Sequence, residues 1–126
     1  MKIGITLPLP AYNVDVALIA REAEVLGFES VWCAEHPIIP VHTTEPFPYS
    51  PDGLVPDLYS HMVDPFVALA RASGVTTTIK LGTSIVLVPE HNPLMMAKQV
   101  STLDLFSGGR FLFGIGAGWL REETEI

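Results

Sequence analysis

Short continuous apolar runs alternate along this chain with stretches in which apolar residues return every three or four positions. The runs are Ile3 to Leu7, Ser30 to Ala34, Ile79 to Val88 and Phe111 to Ile115, each rich in Val, Ile, Phe or Leu and free of internal charge except at Lys80. Such runs read as buried strands. After the first of them, Val16, Ile19, Ala20, Ala23 and Leu26 recur with helical period, with Asn13 placed to cap the start and Gly27 to end the helix. The next two helices are announced by Asp64-Pro65 and Asn92-Pro93, each a capping side chain followed by a proline suited to the first helical position; they end at Gly74 and Gly108. A fourth helix begins in "WLREETEI".

Strand, helix, glycine and strand in repetition form a chain of βαβ units, and right-handed crossovers then impose a parallel sheet with helices outside it. The strands start near residues 3, 30, 79 and 110, so two intervals match the roughly 30 residues that one βαβ unit needs. The surplus in the second interval is an inserted loop, residues 37–63, whose prolines exclude regular helix and whose aromatics favour a functional part over a plain linker. An open doubly wound sheet and a (β/α)8 TIM barrel both fit, and both carry their ligand site at the C-terminal ends of the strands. A whole barrel takes about 250 residues. Residues 1–126, with the fourth helix only beginning, therefore read as about the first four β/α units, the N-terminal half of a single barrel domain.

Composition narrows the partners. The chain is 48% hydrophobic, with 14 acidic against 7 basic residues and a net charge of −7. No Lys/Arg cluster offers a footprint for nucleic acid. The apolar run at the start is too short and too interrupted by proline for a signal peptide or membrane span, and the single cysteine, Cys33, fits a reducing cytoplasm. A mean hydropathy of +0.38 is high for a small domain and implies apolar surface that belongs against something else.

The glycines of "FGIGAGWLREE" invite a phosphate-loop reading that fails. Trp119 stands where the dinucleotide fingerprint needs its third glycine, and no Gly-Lys-Ser/Thr follows. In extended backbone Gly114, Gly116 and Gly118 would share one face while Phe113, Ile115 and Ala117 meet the helices, leaving a hollow for a flat ligand at the C-terminal end of the strand. Turn geometry or close packing is the other reason for glycine there. At the end of the second strand His36 is suited to exchange a proton near neutral pH, or else is a hydrogen-bonded structural histidine. Glu35, of opposite parity, is expected to orient a neighbour or form an ion pair. Cys33 is assigned to packing, since it lies on the opposite face from His36. His42, His61 and His91 fall in loops without metal-ligand spacing, so no metal site is assigned. Glu45, Asp52 and Asp57 are read as solvent-facing loop carboxylates, and Met95 and Met96 as core or interface filler. Thr83, Ser84 and Ile85 interrupt the third strand, where a bulge is expected.

These segments, "ESVWCAEH", "PFPYSPDG", "LGTSIVLVPEHNPLMMAKQVSTLDLFSGGR" and "FGIGAGWLREE", resemble the bacterial luciferase-like oxidoreductases, most closely the branch that uses the deazaflavin coenzyme F420. The resemblance implies a (β/α)8 barrel of which this is the N-terminal half. It implies that His36 is the catalytic residue, over the ring system. Thr83, Ser84, Ile85, Gly116, Gly118 and Trp119 would contact the cofactor, and Ser84-Ile85 matches the position of a non-prolyl cis peptide. Trp119 replaces the glutamate acid of some relatives. Gly116-Ala117 replaces the Cys-Arg of the luciferases, which favours coenzyme F420 over FMN. The implied activity is hydride transfer between coenzyme F420 and a small organic substrate, with an FMN-dependent monooxygenase as the alternative. Phosphate groups would bind to later strands. Helices two and three would build a homodimer, with Ala68, Ala72 and Ala97 allowing close approach. A non-catalytic half-barrel that self-associates is the remaining alternative.

Overall fold

The computed structural model describes residues 1–7, 12 and 14–126. Its elements in chain order are β1 (Gly4–Thr6), α1 (Val16–Val25), β2 (Ser30–Cys33), α2 (Pro65–Ser73), β3 (Lys80–Thr83), β4 (Val86–Leu87), α3 (Pro93–Ser107), β5 (Phe111–Leu112), β6 (Ile115–Gly116) and α4 (Arg121–Thr124). Two 3-10 turns, Asp57–His61 and Val88–Glu90, punctuate the connections. The main sheet is parallel throughout in the order β1-β2-β3-β5. The βαβ reading of the apolar runs therefore holds as an α/β fold with a parallel sheet.

The helix boundaries follow from side-chain chemistry. Asp15 caps α1 by accepting from the Ala17 amide at 2.9 Å; the cap expected at Asn13 lies outside the described residues. At the other end Gly27 adopts φ +81°, and the Phe28 amide reaches back to the Ala23 carbonyl at 3.0 Å, a closure that strongly favours glycine. Asp64 and Asn92 cap α2 and α3 ahead of their prolines, as their spacing predicts.

The core lies between the helices and the sheet. Ala20, Val31, Leu69, Ala72, Leu81 and Val86 are wholly excluded from solvent. Truncating a residue such as Leu81 to alanine there costs about 2–5 kcal/mol, from lost apolar transfer and the void left behind. Ala68 and Ala72 belong to this core. They face inward, because the short side chains let α2 approach the sheet, and so are not available to a partner helix. The apolar side chains that α2 and α3 do expose are Val67, Leu94, Met95, Leu105 and Phe106.

The third and fourth strands are each found in two pieces. β4 and β6 form a separate parallel pair, with Val86 opposite Ile115 and Leu87 opposite Gly116. The break in the third strand falls at Ser84-Ile85, whose peptide bond is cis, where the bulge was expected. Before it, the Ser84 amide donates to the Cys33 carbonyl at 2.8 Å; after it, the Val86 amide donates to the Gly114 carbonyl at 3.0 Å. The Thr83 hydroxyl spans the matching break in the fourth strand, donating to the Gly114 carbonyl and accepting from its amide.

The opposite end of the sheet is fastened by two charged side chains. Arg110 donates to the carbonyls of Ser107, Ile79, Ser73 and Thr76 and to the Thr76 hydroxyl, tying the ends of α2 and α3 to the start of β3. Glu24 at the end of α1 accepts from the amides of Thr77, Thr78 and Ile79. Among the described residues no helix is long and apolar enough to cross a membrane.

Candidate functional site

A cavity of about 370 Å³ opens at the C-terminal ends of the strands. Its base and sides come from Ala34, His36, Ser84, Ile85, Gly118 and Trp119, which all derive from segments immediately following β2, β3 and β6. The inserted loop supplies the rest of the wall through Phe47, Tyr49, Tyr59 and Met62. Phe47 is the pivot, with its ring edge-on to Tyr59 (5.0 Å), Trp119 (5.4 Å) and Tyr49 (5.6 Å). Aromatic edges of this kind around the buried Phe47, each worth roughly 0.5–1.5 kcal/mol beyond burial, hold the loop over the strand ends.

His36 sits at the junction of these walls. Its ring lies edge-on to Tyr59 at 5.6 Å and Trp119 at 6.0 Å. Its Nδ1 is 2.7 Å from Glu123 Oε2, and the Glu123 side chain is completely buried. The other Glu123 oxygen receives the Ile38 amide at a long 3.5 Å. Beside it, Glu122 accepts from the Thr44 hydroxyl and amide and from the Glu45 amide. Those Thr44 contacts come first in holding the Glu122 carboxyl at about 2, well below its ordinary range. Consecutive acids of α4 therefore grip His36 and the start of the inserted loop. The acidic run was visible in the sequence; its partners lie more than 70 residues away and were not.

Glu35 also borders the cavity but has partners different from those of His36, and it forms the ion-pair contact expected of it. It is 5% exposed, accepts the Leu87 amide at 2.7 Å and lies 3.0 Å from His91 Nε2. That carboxylate anchors β4 immediately beyond the cis peptide. Glu90 has its pKa raised by burial, then by the Glu123 charge, with Glu35 adding to the rise against the opposing pull of Thr124 and His36. Cys33 is raised to about 11 by burial, then by Asp64 and Glu35, which leaves a packed, unreactive thiol.

The glycines act differently from the hollow expected of them. A Cβ on Gly114 would strike the Thr83 carbonyl, and one on Gly116 would strike the Ile85 side chain. Both glycines admit close approach of the bulged third strand, and the room they leave is occupied. Gly118 has φ +87°, a left-handed conformation that turns the chain along the cavity wall. Thr83, 1% exposed, uses its hydroxyl on Gly114; neither it nor Gly116 lines the cavity, because strand packing claims both. Alternation also fails past the break: Phe113 packs near Phe66 of α2, 6.4 Å between ring centres, whereas Ile115 is 59% exposed.

A parallel α/β sheet with a ligand-sized, mostly apolar cavity at its C-terminal edge defines a class of small-molecule binding folds. Within that class, the chain belongs to the luciferase-like monooxygenase family, whose model matches residues 9–126. An uncharacterized protein of Mycobacterium tuberculosis is 39% identical over 124 residues, 98% of this chain and 44% of that protein. Among solved structures, monooxygenase RslO1 of Streptomyces bottropensis is similar with TM-score 0.75 and 28% identity over 99% of this chain and 36% of that one. The coenzyme F420 dependent tetrahydromethanopterin reductase of Methanopyrus kandleri is similar with TM-score 0.66 and 28% identity, over 94% of this chain and 27% of that one. The chain thus spans less than half the length of these relatives. The family is one of monooxygenases and related oxidoreductases.

Proposed function

We propose that the protein carrying this chain transfers a hydride between coenzyme F420 and a small organic substrate, and that residues 1–126 form the first half of its (β/α)8 barrel. The observation that carries this reading is a buried His–Glu pair beside a cavity based on the Ser84-Ile85 kink and walled by Trp119, Phe47 and Tyr59. The cavity fits a flat ring: it is of ligand size, and most of its lining is aromatic or aliphatic. No Lys or Arg is among the lining residues, so this half suits the ring and not a phosphate tail.

The coenzyme supplies the ring that exchanges a hydride. The chain's own residues do the remainder. Ile85 and Leu87 offer apolar support, Trp119 packs against the loop, and Phe47 and Tyr59 exclude water. His36 accepts or delivers the compensating proton.

A flavin mononucleotide monooxygenase is the second reading, its monooxygenase part favoured by the likeness to monooxygenase RslO1. Titrating each cofactor into the full-length protein and following absorbance and oxygen consumption separates the two. Oxygen uptake with flavin alone supports the monooxygenase. With the bound coenzyme identified, His36→Ala is expected to lower turnover by roughly 10²–10⁴-fold, the range for general acid–base groups; unchanged turnover would refute the assignment. The expected homodimer, if formed through α2 and α3, would use Val67, Met95 and Phe106, which are exposed, along with Ala97.

A further inference from the structure

The buried carboxylate of Glu123 pairs with His36 but has no step of its own in the proposed hydride transfer. It arises on a four-residue helix, in a residue 4% exposed, where a charge is costly unless paired. Its close partner is one ring nitrogen of His36, at 2.7 Å; the Ile38 amide is farther away at 3.5 Å. The edge contacts of Tyr59 and Trp119 restrict rotation of the imidazole about that pairing.

We propose that Glu123 is the positioning residue for His36, fixing the neutral imidazole as its Nδ1–H tautomer and leaving Nε2 as the atom that takes and returns the proton. An ionised carboxylate only accepts hydrogen bonds, so the ring nitrogen facing it must carry the hydrogen. Once Nε2 is protonated, the same carboxylate stabilises the imidazolium. Removing Glu123 therefore loosens the ring and weakens its basicity together, the general logic of a carboxylate behind a catalytic histidine. The inference rests on the proposed function for its purpose, though not for its geometry.

The other groups facing His36 do not substitute for Glu123. Glu90, from the 3-10 turn after β4, has its pKa raised by burial first and then by the neighbouring Glu123 carboxylate. Glu35 is engaged with His91 and the Leu87 amide. Tyr59 presents a ring edge and Trp119 an indole. None of these four is seen hydrogen-bonded to Nδ1.

The test is nitrogen-15 NMR of the histidine ring in the full-length protein, through a pH titration, for wild type, Glu123→Gln and Glu123→Asp. Wild type should carry its proton on Nδ1. Glu123→Gln should lower the His36 midpoint by about one pH unit or more, and Glu123→Asp should retain most of the wild-type value. Glu125→Gln, with the same change of charge two residues on, should leave it unmoved. In turnover, the limb of the pH profile assigned to His36 should shift with Glu123→Gln by the same amount. A wild-type proton on Nε2, or a Glu123→Gln midpoint equal to wild type, would overturn the proposal, and the wild-type spectrum decides even if that variant does not fold. If the NMR results hold while His36→Ala turns over normally, the pairing stands and the proposed function falls.

Discussion

Replacing Glu24 with glutamine removes one charge from the end of the sheet remote from the cavity and keeps the side chain's size. Burial by itself would raise the Glu24 pKa. It is outweighed by the amides of Ile79, Thr78 and Thr77 and the Thr78 hydroxyl, which bring it to about 2 from an ordinary 4.5. At about 1.4 kcal/mol per tenfold change in proton affinity, that difference sets a ceiling of ~3 kcal/mol. The carboxylate remains partly open to water, which screens it, so about 1–2 kcal/mol is expected. Because the folded value is depressed, the stabilisation is fully present above the unfolded value near 4.5 and fades as pH falls toward 2. Urea denaturation of wild type and Glu24→Gln should therefore show a gap of that size at pH 7 that narrows steadily below pH 4.5. A gap that stays constant down to pH 2.5 would refute the reasoning, since it would mean that shape rather than charge carries the effect.

Gly114→Ala drives a methyl group into the Thr83 carbonyl; backbone cannot swing aside as a side chain does, so a loss of about 1–3 kcal/mol is expected in the same denaturation assay. Arg110→Met strands the carbonyls of Ser73, Thr76, Ile79 and Ser107 and should cost about 2–4 kcal/mol, with the melting temperature falling accordingly. Sedimentation of residues 1–126 alone should show association, because β1 and the β5/β6 side are the outer strands and Ile3, Ile115 and Phe106 are exposed; a compact monomer at moderate concentration would contradict it. If α2 and α3 form the contact between copies of the intact protein, Phe106→Glu should shift it toward monomer without changing its fold, as read by circular dichroism.

Local rules carried much of this chain. The strand runs, the Asp64-Pro65 and Asn92-Pro93 helix starts and the interruption at Ser84-Ile85 depend on neighbours within a few residues, so sequence alone locates them. Asp15 caps α1, two residues beyond the Asn13 that the sequence pointed to, because both residue types are competent caps and local pattern does not choose between them.

The ion-pair contact of Glu35 was likewise readable, although Glu35 and His36 both border the cavity. Distance across the sequence decided everything else. Glu123 meets His36, Thr44 meets Glu122 and Phe47 meets Trp119 only because the inserted loop folds back over the strand ends. The space beside Gly114 and Gly116 is filled or empty according to where a neighbouring strand bends. Periodicity determines which face a residue presents; what stands opposite that face is fixed by packing, and no local pattern encodes it.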